Sequence, residues 1–180
     1  MFLGLCVLAM CGDTVKFAYL PIYMEQQLHT PAALRGAVIS SQSLLMLVFI
    51  PVLGVVADRF GTQRLVIIGT VLGAGANVGY VLSDHVVGLF VATALNAGLW
   101  SAMAGLGVTV AQSFYPQGVG VASSLYFSAI RFSSAVGGVA GSIGVSALGV
   151  PGVFVVPAVL SGVATLGLTA QAIMARHRRT

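Results

Sequence analysis

Charged side chains are scarce in this sequence, and their scarcity argues against most kinds of soluble protein. Lys, Arg, Asp and Glu together make up 7% of the 180 residues, whereas a soluble domain carries about 25%. Hydrophobic residues make up 58%, and the mean hydropathy is +1.02. Such a chain cannot cover a water-facing surface, so we expect it to lie in a lipid bilayer. The formal net charge of +4 does not indicate nucleic-acid binding here, because the basic residues lie mostly between apolar runs and at the C-terminus.

Cysteine and histidine are also few, and their positions predict neither a metal centre nor a catalytic site. Cys6 and Cys11 are five residues apart in one apolar run, on different faces of a helix, so a disulfide between them is not expected. His29 and His85 lie at the ends of apolar runs, and His177 lies in the basic tail. The sequence contains no His-Glu-x-x-His motif, nucleophile elbow or phosphate loop. We expect neither an enzyme nor a bound cofactor.

The sequence is instead rich in long apolar runs. A helix that crosses the hydrocarbon core needs about 20 mostly apolar residues, and six segments meet this requirement. Runs such as Leu44 to Val56 are continuously apolar and do not alternate, which excludes a membrane β-barrel. We therefore predict an all-α membrane protein that forms a single six-helix domain over residues 1–180. The expected spans are Phe2 to Met24, about Leu34 to Ala57, Leu65 to Leu82, His85 to about Gln112, about Val119 to Leu148, and Val150 to Ala175.

Arginines in the links predict the orientation of the spans. Arg59 and Arg64 lie in the second link, and three further arginines lie in the C-terminal tail. With an even number of spans these two regions fall on the same side, and the opposite side has only Arg35. Because cytoplasmic loops carry the excess of Lys and Arg, both termini are expected in the cytoplasm, as in a multi-pass protein of the cell (inner) membrane.

The second link has the sequence GVVADRFGTQR, which a plain basic loop does not explain. Gly54 would let another helix approach closely, and Gly61 would permit the left-handed geometry of a tight turn. Asp58 could accept hydrogen bonds from backbone N–H groups, especially those at a neighbouring helix N-terminus. Arg59 and Arg64 could pair with Asp58 or with lipid phosphate.

This link resembles the signature G-x-x-x-D-R-x-G-x-x-R, found between the second and third helices of each half of major facilitator superfamily transporters. The matching residues are Gly54, Asp58, Arg59, Gly61 and Arg64. The resemblance implies a gating latch in which the aspartate and arginines hold the cytoplasmic side closed against a neighbouring helix, here span five. It also implies that the fold is one half of a major facilitator superfamily fold.

Four later segments resemble the C-terminal half of the sugar efflux branch of that superfamily. They are Asn96-Ala97-Gly98, Gln112 to Pro116, Ala122 to Tyr126, and Arg131. A full transporter of the superfamily has two six-span halves, whereas this chain has one. We therefore expect a fragment, a split gene product or a truncated copy whose partner is a second six-helix half.

Span one carries two charges where lipid tolerates few. Asp13 and Lys16 would each cost about 2.5 to 3.5 kcal/mol at a helix centre, and their spacing lets them face each other. Tyr23 lies seven residues from Lys16 on the same face, and Pro21 removes a backbone donor nearby. These features describe a span that lines a polar cavity, with Asp13 available to take up and release a proton. A structural ion pair is the alternative interpretation.

Span five carries a further deep charge at Arg131, on one helix face with Ser124 and Ser128. The resemblance implies that this span borders the central cavity, where Arg131 could bind hydroxyls or a carboxylate. Arg131 could equally pair with Asp13 or with helix carbonyls. Tyr126 lies off that face and could turn toward a neighbour.

Asn96 and Trp100 are four residues apart on span four, so they lie on one helix face. An indole beside an amide suits a sugar, because the ring can stack on C–H faces while the amide binds hydroxyls. Packing is the alternative role for Trp100. The second span offers weaker candidates in the run from Ser40 to Gln42. Two sets of regularly spaced small residues favour helix packing, namely Gly69 and Gly73 with Asn77, and Gly137 with Gly141.

The predicted function is secondary transport of a small polar solute, most plausibly sugar efflux in exchange for protons. The alternating-access mechanism would rock one six-span half against another around a midplane site. Two alternatives stay open: efflux of a drug or another solute by the same fold, and an inactive fragment or assembly subunit. Lys16 and Arg131 argue against a cationic drug.

Overall fold

A computed structural model describes the backbone of residues 2–177, and the side chains of residues 2–150 and 152–174. Over these residues the chain is helical and has no strand. The helices are α1 (Phe2–Gln26), α2 (Ala32–Phe60), α3 (Thr62–Leu82), α4 (Val86–Ala102), α5 (Val108–Ser113), α6 (Val119–Gly152) and α7 (Val155–His177). A π-helical turn, Met103–Gly107, joins α4 to α5, and a short 3-10 turn, Pro116–Gly118, precedes α6.

Six segments of the described chain are long and apolar enough to cross a membrane, as the sequence predicted. The fourth is composite and runs from α4 through the π turn to the end of α5, Val86–Ser113. The expected boundary between spans five and six coincides with a break in α6 at Gly149, where φ is 72°. Glycine adopts this left-handed conformation without the steric cost that a side chain would add.

The first helix lies centrally in the bundle. It packs chiefly against α6 and α7, while α3 packs against α4 and α7, and α2 packs against α4. Two apolar clusters fill the interior, one toward each end. The first contains Met10, Leu99, Met103 and Tyr126 among others, and the second contains Val15, Tyr80, Leu89 and Phe154. On their helices Asp13, Gln42 and Asn96 lie between the residues of one cluster and those of the other.

Close helix contacts occur at the predicted small-residue faces. A Cβ atom added at Gly69 would lie 2.5 Å from the Cβ of Ala102, so α3 and α4 meet there at short range. A Cβ atom at Gly137 would lie 2.2 Å from the carbonyl oxygen of Cys11, which brings α6 equally close to α1. Both sets of glycines therefore serve helix packing, as predicted.

Candidate functional site

Four polar side chains from three helices meet in the middle of the bundle. Lys16 Nζ lies 3.0 Å from Asp13 Oδ1, so the ion pair expected from their spacing on α1 is formed. Lys16 also donates to Gln42 Oε1 on α2. Asn96 Nδ2 on α4 lies 3.2 Å from both Asp13 Oδ1 and Gln42 Oε1. These residues, Asp13, Lys16, Gln42 and Asn96, are hereafter the central polar cluster.

Burial makes this arrangement costly unless every member is paired. Lys16 is 1% exposed, Gln42 5% and Asn96 4%. The Lys16 ammonium is also 4.1 Å from the ring centroid of Phe17, a distance at which a cation is attracted to an aromatic face. Removing one partner from such a buried group leaves an uncompensated charge or donor. The cluster therefore ties α1, α2 and α4 together through charge-assisted hydrogen bonds.

Asp13 is the accessible member of the cluster. Its side chain is 14% exposed, whereas Lys16 is almost completely enclosed. Both hydrogen bonds to Asp13 end on Oδ1, and Oδ2 has no hydrogen-bond partner among the described residues. An acceptor oxygen of this partly exposed carboxylate is thus left without a hydrogen bond to the described residues.

Two tyrosines that the sequence proposed for solute binding hold the helices instead in this structure. The Tyr23 hydroxyl donates to the Ser83 carbonyl at 3.0 Å, and its ring packs edge-on against Phe154. The Tyr126 hydroxyl donates to the Met103 carbonyl at 2.7 Å. Both side chains are buried and neither joins the central polar cluster. Their role in solute binding stays a prediction.

The Tyr126 contact lies at the π turn in span four. The carbonyl of Met103, the first residue of that turn, accepts the hydrogen bond from Tyr126. A Cβ atom at Gly107 would lie 2.0 Å from the same hydroxyl, so the close fit requires glycine at that position. The π turn and α6 are thereby fastened together.

Trp100 and Arg131 also lie apart from the cluster. Trp100 packs against the first apolar cluster, and its indole Nε1 is buried without a hydrogen-bond partner among the described residues. Arg131 lies about 18 Å along α6 from its first residue, Val119. Its side chain is exposed, and no described side chain forms an ion pair with it. The proposed Arg131–Asp13 pair is not formed here, because Asp13 pairs with Lys16.

No group of three or more His, Cys, Asp or Glu among the described residues could hold a metal ion. The described thiols of Cys6 and Cys11 are free and buried.

A sequence model of the Major Facilitator Superfamily matches residues 1–179. The chain belongs to this superfamily. Its members are transporters, and the six apolar helices make the chain a multi-pass membrane protein of the superfamily fold, as the sequence predicted.

A relative within this group is the sugar efflux transporter B of Salmonella typhimurium, which is 26% identical over 134 residues. The match covers 74% of this chain and 34% of the relative, so the chain aligns with about a third of that protein's length. No solved structure gives a significant match.

The superfamily signature forms the turn between α2 and α3. Gly61 has a φ of 89°, and its N–H donates to the Ala57 carbonyl at 2.9 Å, so this glycine permits the tight turn as expected. Asp58, Arg59 and Arg64 are exposed, and none forms an ion pair within the described part of the chain. A Cβ atom at Gly54 would meet nothing within 4 Å, so no helix approaches closely there. The gating role of these residues stays a prediction.

Gln42 is the functional candidate that sequence reasoning ranked too low. It is the only amide in the second apolar run, which was the available signal. Its position in the run gives no indication that its carbonyl would meet a lysine on α1. The contact depends on how α2 packs across the bundle.

Proposed function

We propose that the chain is one half of a secondary transporter that exports a small polar solute, of the sugar class, in exchange for protons. The observation that carries the proposal is the central polar cluster, in which a buried lysine and an accessible carboxylate lie at mid-bundle depth. Ionisable groups inside a membrane domain mark substrate, ion or proton pathways. Superfamily membership and the likeness to a sugar efflux transporter support the solute class.

Asp13 is the proposed proton carrier. A proton arriving from the accessible side binds at Oδ2 and neutralises the carboxylate, which weakens its attraction for Lys16. Lys16 then depends on Gln42 Oε1, so the link within α1 loosens while the link to α2 persists. Release of the proton restores the ion pair. The hydrogen bond that Asn96 on α4 donates to Asp13 also weakens when the carboxylate is neutral, so the two protonation states differ in the contact between α1 and α4, which is the requirement for coupling.

Solute recognition is assigned to the amides of the cluster. Asn96 and Gln42 offer donor and acceptor atoms that suit hydroxyl groups, and the ammonium of Lys16 adds further donors. The buried ammonium of Lys16 disfavours a cationic drug, because a like charge in the site repels it. The cluster therefore favours a neutral polyhydroxy solute over a lipophilic cation.

Alternating access requires a second six-helix half, against which this half would rock around the midplane. The second half would face the surface that exposes Arg131, since lipid is a poor environment for a guanidinium. The proposed location is the cell (inner) membrane with both termini cytoplasmic. An assembly subunit without turnover is the second candidate, favoured by the match to only a third of the relative.

The test is flux of radiolabelled mono- and disaccharides in proteoliposomes that contain the purified chain and carry a pH gradient. We expect an inward-directed proton gradient to drive sugar outward, and Asp13→Asn to abolish the dependence on the gradient. Competition by unlabelled sugars but not by tetraphenylphosphonium would support the solute class. Full proton coupling in Asp13→Asn would remove Asp13 from the mechanism.

If the chain alone shows no flux, a second preparation separates the two candidates. The measurement is then repeated after fusion to a second six-helix half taken from a transporter of the superfamily. Flux that appears only in the fusion supports a half transporter. No flux in either preparation favours the assembly subunit.

A further inference from the structure

The residue next to Asp13 carries a contact that the transport proposal does not use. Gly12 faces the side chain of Asn77 on α3, and a Cβ atom at position 12 would lie 2.6 Å from Asn77 Oδ1 and 2.9 Å from Nδ2. Real Cβ atoms do not approach other heavy atoms this closely. The Asn77 amide therefore occupies the space that any other residue at position 12 would fill.

Asn77 is itself held in place. Its Nδ2 donates to the Gly73 carbonyl at 3.1 Å and to Ser161 Oγ on α7 at 3.2 Å, and the residue is 3% exposed. The amide cannot turn away from α1 without breaking these bonds inside a dry interior, where unpaired donors are costly. It is a fixed wedge between α3, α7 and α1.

The same level of α1 is also confined by α6. The close approach of Gly137 to the Cys11 carbonyl places backbone against backbone one residue before Gly12. A Cβ atom at Gly137 would in addition lie 3.0 Å from Thr14. Both α3 and α6 therefore pack closely against α1 over the turn that contains Asp13. A helix packed this closely on two sides has little freedom to rotate.

We propose that Asn77 is a positioning residue, which sits in the notch at Gly12 and sets the rotation of α1 so that Asp13 and Lys16 face Gln42 and Asn96. This inference rests on the proposed function for its importance, because the pair that it positions is the proposed coupling site. A rotation of α1 would carry Lys16 away from Gln42 and expose the ammonium. The wedge acts through geometry and need not touch the solute.

The chain offers a direct reporter, since Lys16 is its only lysine. The rate at which acetic anhydride, a membrane-permeant amine reagent, modifies Lys16 can be followed by peptide mass spectrometry on the full chain in proteoliposomes. The four proteins compared are the unmodified chain, Gly12→Ala, Asn77→Ala and the double variant. Gly4→Ala is the matched control, because Gly4 lies on the same helix with nothing within 4 Å of its Cβ position.

Each single variant is expected to raise the Lys16 rate about tenfold, since Gly12→Ala overfills the notch and Asn77→Ala empties it. In the double variant the new methyl group occupies space that the shortened side chain vacates, so the rate should return close to that of the unmodified chain. Ser161 keeps a partner in these variants, because it also donates to the Ala158 carbonyl at 3.1 Å. Gly4→Ala should leave the rate unchanged.

Alkylation of Cys6, which is 1% exposed on the same helix, controls for general opening and should not change in parallel. Unchanged Lys16 rates in both single variants would overturn the proposal, as would a double variant that labels as fast as the faster single one. If Gly12→Ala fails to fold, a folded double variant supports the wedge, and an unfolded double variant beside a folded Asn77→Ala overturns it. Labelling requires no transport, so failure of the proposed function leaves this result interpretable.

Discussion

At the scale of single residues, Lys16 shows how a membrane interior tolerates charge. Its ammonium meets a carboxylate from its own helix and an amide carbonyl from another, with an aromatic ring beside it. The pair carries no net charge, yet each partner depends on the other. Removing one partner of such a buried pair destabilises a protein more than removing both, because it leaves an unpaired charge in the interior.

Replacement of Lys16 by Met should therefore destabilise the chain more than replacement of both charges. The expected cost of Lys16→Met is about 3 to 5 kcal/mol, because Asp13 and Gln42 lose their shared donor. The double variant Asp13→Asn/Lys16→Met removes the stranded charge and should recover part of that loss. Thermal unfolding of the purified proteins in detergent measures both.

The matched control is Arg64→Met, which removes an exposed cation on α3 without a described ion-pair partner. A melting temperature for Lys16→Met equal to that of the control would show that the pair contributes nothing to stability.

Residue-scale prediction from the sequence succeeded where contacts lie within one helix. The spacing of Asp13 and Lys16 predicted their pair, because residues three apart on a helix are neighbours. Contacts between helices were not predictable in the same way. Lys16 meets Gln42 of α2, and the Tyr126 hydroxyl meets the Met103 carbonyl. Both contacts depend on how whole helices rotate and pack against each other, and the periodicity within one segment does not determine this packing.

At the scale of helices, small residues decide where the bundle is tightest. The apolar runs predicted six spans because bilayer thickness sets a minimum length for each. Regular spacing also identified the close face of α3. The π turn in span four was not predicted, and neither was the hydrogen bond that Tyr126 of α6 donates to it.

Substitution of Gly69 by Ala should separate α3 from α4. The added methyl would lie 2.5 Å from the Cβ of Ala102, which has no rotamer to escape into, so the expected cost is about 1 to 3 kcal/mol. Gly75→Ala on the same helix is the control, because its Cβ would come no closer than 3.8 Å to another atom. Thermal unfolding in detergent compares the two, and equal melting temperatures would contradict the close approach.

At the scale of the whole molecule, the distribution of arginine predicts an orientation in the membrane. Arg59 and Arg64 flank the α2–α3 turn, whereas Arg35, in the first turn of α2, lies near the α1–α2 link and pairs with Glu25 at the end of α1. The end of the bundle with the α2–α3 turn therefore carries more of these arginines than the end with the α1–α2 link. Both observations agree with cytoplasmic termini.

Cysteine scanning tests this orientation in a chain with Cys6 and Cys11 replaced by Ala. A membrane-impermeant maleimide should label Gln63→Cys, in the first turn of α3, only in inside-out vesicles. It should label Asp84→Cys, in the α3–α4 link, only in right-side-out vesicles. The two sites are exposed and lie at opposite ends of α3, so the reverse pattern would invert the proposed topology.

The position of Lys16 and Asp13 on the first helix has a consequence for biosynthesis. α1 leaves the ribosome before its polar partners Gln42 and Asn96, which follow on α2 and α4, and before its main packing surfaces on α6 and α7. Its hydropathy is 1.5 against 2.1 for α2, so it enters lipid with the weaker driving force. The nascent α1 should therefore remain beside the insertion machinery until later helices arrive, and ribosome-bound chains truncated after α3 should still crosslink to that machinery through α1.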